Sequence, residues 1–239
     1  MELPAWQRAL YDEVRDQMVA ELRTMTGEEY RVFASTALVR LTRLAQIASN
    51  PALVMPTETR IPGKWAELDH VLRDILAEPG RKVILWSSYV HTIEALAKRY
   101  AENGPVMLYG GVEATARQAI GAQFQTDPST RLLVANPAAA GTGFTFTAAA
   151  YTIYETLSWR YDFYAQSQDR NHRIGQDKSV TYIRLIAVDT IEEAIVVALE
   201  RKANMASELL GDSDGAPNVA DLSREQMCDL LSTNRMPDG

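Results

Sequence analysis

Apolar residues recur at helical spacing through the first fifty residues of the chain. Glycine and proline are almost absent between residues 4 and 49, and large apolar residues follow one another at steps of four. That series is Leu10, Val14, Met18 and Leu22. Residues at such steps lie on one face of a helix and pack against a core. Prolines and Gly63 interrupt the pattern from about Asn50, so we predict a helical region over residues 1–62 and a connector at its end.

Downstream of residue 63, short apolar runs alternate with helical stretches. The predicted strands are Lys82–Trp86, Val106–Tyr109, Arg131–Ala135, Tyr151–Tyr154 and Val180–Ile186. The predicted helices are Lys64–Ala77, His91–Glu102, Glu113–Phe124 and Phe163–His172. Strands that alternate with helices form a parallel sheet covered on both faces, with the ligand site at the carboxyl ends of the strands. The pattern therefore predicts an α/β fold whose chemistry lies in the loops after the strands.

The C-terminal part of the chain predicts one more long helix. It begins at Thr190, which has the spacing of a capping box with Glu193, and ends before Gly211. Beyond it, a segment rich in Gly and Asp predicts a flexible acidic tail, in which Arg224–Leu231 can form a short helix. The predicted organisation is residues 1–62, 63–210 and 211–239.

Charge and composition exclude several classes of site. The net charge of −7, from 24 basic and 31 acidic residues, argues against general nucleic-acid binding, although basic residues gather between Arg160 and Arg184 and a local basic groove stays possible. The single cysteine, Cys228, excludes an internal disulfide and a Cys-rich zinc site. The three histidines lack metal-ligand spacing, so no metal site is predicted from residues of this chain.

No part of the sequence indicates a membrane or secretory segment. There is no run of about 20 apolar residues and no basic segment followed by an apolar signal core. We expect an intracellular protein, cytoplasmic or nucleoid-associated, with no membrane partner.

Two arginines are the strongest candidates for chemistry. Arg170 and Arg173 are three residues apart, a spacing that on a helix would direct both guanidinium groups at one anion. The alternative is that Arg170 pairs with Asp169 or Glu155 in an ordinary salt bridge. His172, between the arginines, is expected to pack or hydrogen-bond rather than act as an acid or base.

A loop of small residues, 138–147, follows the third predicted strand. Such a loop lets backbone amides approach a phosphate or ribose, but the same composition also serves tight packing. The chain contains no Gly-x-x-x-x-Gly-Lys-Ser/Thr phosphate loop, because Gly63-Lys64 is followed by Trp65 and lacks the earlier glycine. This chain therefore has no phosphate-cradling loop of its own.

Residues 166–176 read Gln-Ser-Gln-Asp-Arg-Asn-His-Arg-Ile-Gly-Gln. The segment resembles motif VI of the Swi/Snf-type ATPases of helicase superfamily 2, whose pattern is Gln-x-x-Asp-Arg-x-His-Arg-Ile-Gly-Gln. Further segments resemble elements of the same family in the family's order: Leu41–Leu53, Gly63-Lys64, Lys82–Tyr89 (motif IV), Tyr109–Gly111 with Arg117, Gln118 and Phe124, Gly141–Thr147 (motif V), Trp159 and Thr190–Ile195 (the brace helix). The resemblance covers about residues 4–210.

The resemblance implies the second RecA-like lobe of a DNA-dependent ATPase, followed by a brace helix. In the family, ATP with Mg²⁺ is held mainly by the first lobe, and the second lobe contributes arginines that stabilise charge on the γ-phosphate. On this chain the implied catalytic residues are Arg173, as the arginine finger, and Arg170. The implied nucleotide-binding residues are Gly141, Gly143, Thr145, Gln166 and Asp169. The implied DNA-backbone contacts are Ser87, Ser88, Gly110, Gly111 and Thr142.

Two departures and one ambiguity accompany these assignments. Thr145 stands where motif V usually has Asn, so a hydroxyl replaces the paired donor and acceptor of an amide. Asn50 stands where the family commonly has His. Ser87 and Ser88 end a strand, where hydroxyls can contact phosphate or simply close the strand.

The leading hypothesis is the C-terminal lobe of an ATP-dependent DNA translocase or helicase. Its partners would be double-stranded DNA and a first RecA-like lobe, in cis or in trans, and the lobe alone should not hydrolyse ATP. A second hypothesis is a non-catalytic module that pairs with a separately encoded helicase lobe or nucleic-acid enzyme. A nucleotide-binding enzyme that does not act on nucleic acid is a third, but it leaves the ordered motifs unexplained.

Overall fold

The computed structural model describes residues 1–139, 144–171, 179–208, 219, 222–234 and 236. The helices are α1 (Ala5–Thr24), α2 (Gly27–Ser49), α3 (Gly63–Leu76), α4 (Val90–Arg99), α5 (Ala114–Thr126), α6 (Tyr161–Gln168), α7 (Ile191–Glu208) and α8 (Arg224–Thr233). The strands are β1 (Val83–Trp86), β2 (Val106–Leu108), β3 (Leu132–Ala135), β4 (Tyr151–Tyr154) and β5 (Thr181–Arg184). Short 3₁₀ turns lie at Pro51–Leu53 and Ala101–Asn103.

The strands of the described part form one parallel sheet in the order β2-β3-β1-β4-β5. Val83 is paired with Leu132 on one side and Tyr151 on the other, so β1 is central. All four residues of β1 and of β3 are buried, which explains why both strands are apolar at every position. The predicted α/β fold with a parallel sheet and surrounding helices is confirmed.

The chain divides into two compact units. The first consists of Met1–Trp65 and Ile186–Gly239, and the second is the continuous segment Ala66–Leu185, which contains the sheet. In this grouping α7 belongs with α1 and α2, whereas the sequence-based boundaries place it with the strands. The first unit is thus built from both ends of the sequence.

Helices α1 and α2 of the first unit pack together, and α8 packs on α1. The buried face of α1 differs from the predicted apolar series: Leu10 and Val14 are half-buried, whereas Gln7 and Tyr11 are fully buried. Helix α2 begins with a complete capping box between Thr26 and Glu29. Helix α8, within the segment predicted as an acidic tail, begins with another box, between Ser223 and Gln226.

The start of α7 is capped differently from the prediction. The Thr190 hydroxyl accepts from the Glu192 amide at 3.3 Å, and the Glu193 carboxylate accepts from the Asp189 amide at 3.2 Å. The Tyr11 hydroxyl accepts from the Ile191 amide at 2.6 Å. A buried tyrosine of α1 therefore satisfies one of the free amides at the N-terminus of α7.

Candidate functional site

Side chains that follow β1, β3 and β4 meet at the carboxyl edge of the sheet. Ser87 is fully buried, and its hydroxyl donates to the Glu155 carboxylate at 2.8 Å. The Thr156 hydroxyl accepts from the Ser88 amide at 2.8 Å, and the Asn136 amide group donates to the Ser88 carbonyl at 3.0 Å. The sequence interpretation missed Glu155, Thr156 and Asn136 as neighbours of the two serines. Ser87 is therefore occupied within the fold, whereas the half-buried Ser88 is closer to solvent.

Gly110 and Gly111 follow β2 and are exposed. Arg117 fixes this turn from α5, donating to the Val112 carbonyl at 2.7 Å and to the Gly110 carbonyl at 2.8 Å. A Cβ at Gly110 would meet no described atom within 4 Å, and its φ is not positive. Nothing in the described fold requires a glycine there, so a group outside the described fold can approach its backbone closely.

Helix α6 ends earlier than the sequence predicts. The predicted helix Phe163–His172 would place Arg170 and Arg173 on one helical face, but α6 stops at Gln168 and Asp169 is its C-cap. The Gln168 carbonyl accepts from the Asn171 amide at 3.2 Å, three residues on, and also from the Tyr182 hydroxyl at 3.0 Å. Burial, together with the nearby Asp169 and Tyr164, raises the pKa of Tyr182 and keeps it a donor. The prediction that Arg170 lies on a helical face is therefore wrong, and Arg173 lies outside the described residues.

Arg170 is 4% exposed and lies in the turn after α6. Its Nη1 donates to the Phe144 carbonyl at 3.4 Å, and its own carbonyl accepts from the Phe146 amide at 2.8 Å. The structure thus joins Arg170 to the segment that contains Thr145. Asp169 and Gln166, two of the implied nucleotide-binding residues, are exposed on α6 and its cap. The remaining predicted site residues, Gly141, Thr142 and Gly143, lie outside the described residues.

A buried ion pair in the first unit was also missed by sequence interpretation. Lys64, in the first turn of α3, is fully buried and donates to the carboxylate of Glu192, in the first turn of α7. The second carboxylate oxygen of Glu192 accepts from the Ala187 amide at 3.0 Å. Gly63, beside Lys64, donates its amide to the Gln7 side chain at 2.9 Å, and a Cβ there would lie 2.5 Å from Pro4 Cδ. Two segments of the family resemblance, Gly63-Lys64 and Thr190–Ile195, are therefore in contact.

Comparison with known proteins identifies the type of domain. Residues 63–175 match the helicase conserved C-terminal domain family. Human DNA annealing helicase and endonuclease ZRANB3 is 32% identical over 155 residues, which cover 64% of this chain and 14% of that protein. The chain carries a helicase C-terminal domain of the Swi/Snf type.

Solved structures agree with this assignment. The Sulfolobus solfataricus SWI2/SNF2 ATPase core in complex with dsDNA matches with a TM-score of 0.76 and 27% identity, over 95% of this chain and 47% of that one. The C-terminal domain of the same ATPase matches with a TM-score of 0.72 at 23% identity, over 97% of this chain and 95% of that one, which supports the RecA-like fold. The chain therefore spans about half of the ATPase core and a small part of the full-length relative.

Neither a membrane span nor a metal centre is found in the described part of the chain. None of its helices is long and apolar enough to cross a membrane. Among the same residues, no three His, Cys, Asp or Glu side chains are grouped as metal ligands.

Proposed function

We propose that this chain acts as the second lobe of an ATP-dependent DNA translocase or helicase. In this proposal a first RecA-like lobe binds ATP and Mg²⁺, and this chain closes the site with arginines. Arg173 serves as the finger and Arg170 as its partner, with Gly141, Gly143, Thr145, Gln166 and Asp169 near the nucleotide. Electrostatic stabilisation of the transferring phosphoryl group is the chemistry that such arginines supply.

The match to the SWI2/SNF2 ATPase core in complex with dsDNA over 95% of this chain carries the proposal. The complete motif VI pattern at residues 166–176 and the absence of a phosphate loop from the sequence agree with it. The hydrogen bonds between the Arg170 turn and the Phe144–Phe146 segment give further support, because they join motif VI to motif V as one packed body. ZRANB3, a relative, is described as a DNA annealing helicase, so we infer DNA as the substrate here.

A fusion protein tests the ATPase half of the proposal. The part of the Sulfolobus core that this chain does not cover would be joined to this chain, and ATP hydrolysis measured with and without double-stranded DNA. We expect the isolated chain to be inactive and the fusion to be DNA-stimulated. Arg173→Ala should lower kcat by roughly 10³-fold or more, whereas Arg31→Ala, at an exposed arginine of α2, should leave it unchanged. Hydrolysis by the isolated chain that Arg173→Ala abolishes would contradict the half-site proposal.

The proposed DNA surface includes Ser88, Gly110, Gly111 and Thr142, with Ser87 behind Ser88. Gly110 offers a clean test because its Cβ direction is open and its φ is not positive. Gly110→Glu should fold normally and weaken binding of a duplex in fluorescence anisotropy, because the carboxylate repels phosphate, and the loss should shrink as salt rises. Ala77→Glu adds the same charge at an exposed position after α3 and should have little effect. Equal effects of the two variants would remove Gly110 from the DNA surface.

The same experiments separate the alternative function. A module that only pairs with another lobe would bind its partner, and Arg173→Ala would not change the rate of ATP hydrolysis. Under the leading proposal the protein works on intracellular DNA, in the cytoplasm or the nucleoid.

A further inference from the structure

The turn after α6 is fastened to the segment Phe144–Ala149 at three points. The Phe146 amide donates to the Arg170 carbonyl at 2.8 Å, and Arg170 Nη1 donates to the Phe144 carbonyl at 3.4 Å. The third bond comes from the next residue, because Asn171 Nδ2 donates to the Ala149 carbonyl at 3.3 Å. Both ends and the middle of the segment are therefore bonded to two consecutive residues of the turn.

The segment that receives these bonds is itself firmly packed on α5. The rings of Phe144 and Phe146 stack at a centroid distance of 5.8 Å and an interplanar angle of 12°, and Phe124 of α5 meets Phe146 edge-on at 5.9 Å. Gly121 of α5 leaves room for this pair, since a Cβ there would lie 3.1 Å from the Phe144 ring. Because the segment is packed on α5, a turn that is hydrogen-bonded to it is also held in position relative to α5.

Among the described residues, the side chain of Asn171 hydrogen-bonds only to this segment. It is fully buried, and its Oδ1 is also buried but accepts from no donor among the described residues. A buried carbonyl oxygen without a donor is unfavourable for folding, and an apolar side chain of similar size would avoid that penalty. The motif VI pattern leaves this position open. Stability alone therefore does not explain why an amide side chain stands at position 171, whereas its hydrogen bond to the Ala149 carbonyl does.

We propose that Asn171 is a positioning residue for the arginine-bearing turn. By holding the turn on the segment Phe144–Ala149, it fixes the backbone at residues 170 and 171, and Arg173 follows two residues later, within about 7 Å along the chain. The inference rests on the proposed function for the role of Arg173, but the attachment itself is a property of this chain alone. Errors of about 1 Å in the position of a catalytic group can lower turnover by roughly a hundredfold.

The first test is hydrogen exchange on the full chain. Asn171→Leu removes the donor while keeping the branching and the number of heavy atoms of the side chain, and we expect the Phe146 amide to exchange roughly tenfold faster because its acceptor, the Arg170 carbonyl, is no longer held. Gln168→Leu is the matched control, since this amide lies at the end of the same helix and donates to the Tyr164 hydroxyl at 3.2 Å instead. Unchanged exchange at Phe146 in Asn171→Leu, with the protein folded, overturns the proposal.

The second test uses the fusion described above and separates positioning from general destabilisation. Asn171→Leu should lower kcat about tenfold or more while KM for ATP stays within about twofold and the melting temperature is kept. A wild-type kcat in Asn171→Leu, when Arg173→Ala is inactive, overturns the positioning role. A wild-type kcat in Arg173→Ala would contradict the proposed function. In that case the hydrogen exchange of the Phe146 amide alone tests whether Asn171 holds the turn on the segment.

Discussion

Removing the lysine of the Lys64–Glu192 pair should destabilise the protein far more than a surface ion pair would. Lys64→Met leaves the Glu192 carboxylate buried, at 4% residue exposure, without its cationic partner. Breaking a buried pair in this way costs about 3–5 kcal/mol, because a charge that stays buried has lost its ion-pair partner. For a chain of this size that corresponds to a fall of about 6–20 °C in Tm. Urea unfolding followed by circular dichroism would measure the loss.

A second substitution provides the decisive comparison. Glu192→Gln removes the negative charge but keeps an oxygen for the Ala187 amide, which now lies 3.0 Å from Oε2. Lys64→Met with Glu192→Gln should therefore be more stable than Lys64→Met alone, with a remaining loss of about 1–3 kcal/mol for the imperfectly paired amide. Arg160→Met, at a pair with Asp162 whose side chains are 63% and 46% exposed, is the control and should cost less than about 1 kcal/mol. A double variant less stable than Lys64→Met would refute the reasoning from burial.

Three further outcomes are expected. Tyr11→Phe should lower the free energy of unfolding by about 1–3 kcal/mol, because it removes the buried hydroxyl that accepts from the Ile191 amide and donates to the Asn234 side chain. Tyr109→Phe, at a half-exposed site, is the control and should change the free energy of unfolding little. Equal losses in thermal unfolding would contradict the capping role of Tyr11. Gly104→Ala should be severely destabilising in urea unfolding, since φ is +56° and the new Cβ would lie 2.3 Å from the Ser129 carbonyl oxygen. Gly80→Ala, where φ is also positive but the space is open, should cost only about 1–2 kcal/mol. Similar losses in the two variants would show that the steric contact at Gly104 is relieved. Burial acts to raise the pKa of Asp69, but hydrogen bonds from Arg99 and Tyr100 outweigh burial and the pKa is lowered. The stability that Asp69 contributes is therefore present above the ordinary aspartate pKa near 4 and is lost as pH falls below it. The difference in urea midpoint between wild type and Asp69→Asn should shrink from pH 6 to pH 3, and a constant difference would contradict the pairing.

The α/β fold could be predicted because its signals are local. Four-residue apolar steps, short apolar runs and breaker residues report on neighbours along the chain, and the predicted strands coincide with the observed ones to within a few residues. The order of motifs likewise indicated the Swi/Snf type, which the family and structural matches show. The sites on which those motifs act stay predictions, and Arg173, Gly141, Thr142 and Gly143 lie outside the described residues.

The end of α6 shows where local reasoning fails. Three-residue spacing is compatible with one helical face, but α6 ends at Gln168, whose carbonyl accepts from the Asn171 amide and from the hydroxyl of Tyr182, 14 residues away. Beyond the helix end, Arg170 is bonded to the segment before β4. A hydrogen bond to a distant residue leaves no periodic signal in the sequence.

The sequence by itself determined the elements, their parallel arrangement and the family, because all three are encoded in residue types at short spacing. Only the tertiary structure decided that Ser87 is enclosed by Glu155, that Asn171 holds the turn of motif VI, and that Lys64 pairs with Glu192 across 128 residues. The physical reason is desolvation. Whether a polar or charged side chain binds a ligand or completes the core depends on which groups exclude water from it, and those groups come from distant parts of the chain.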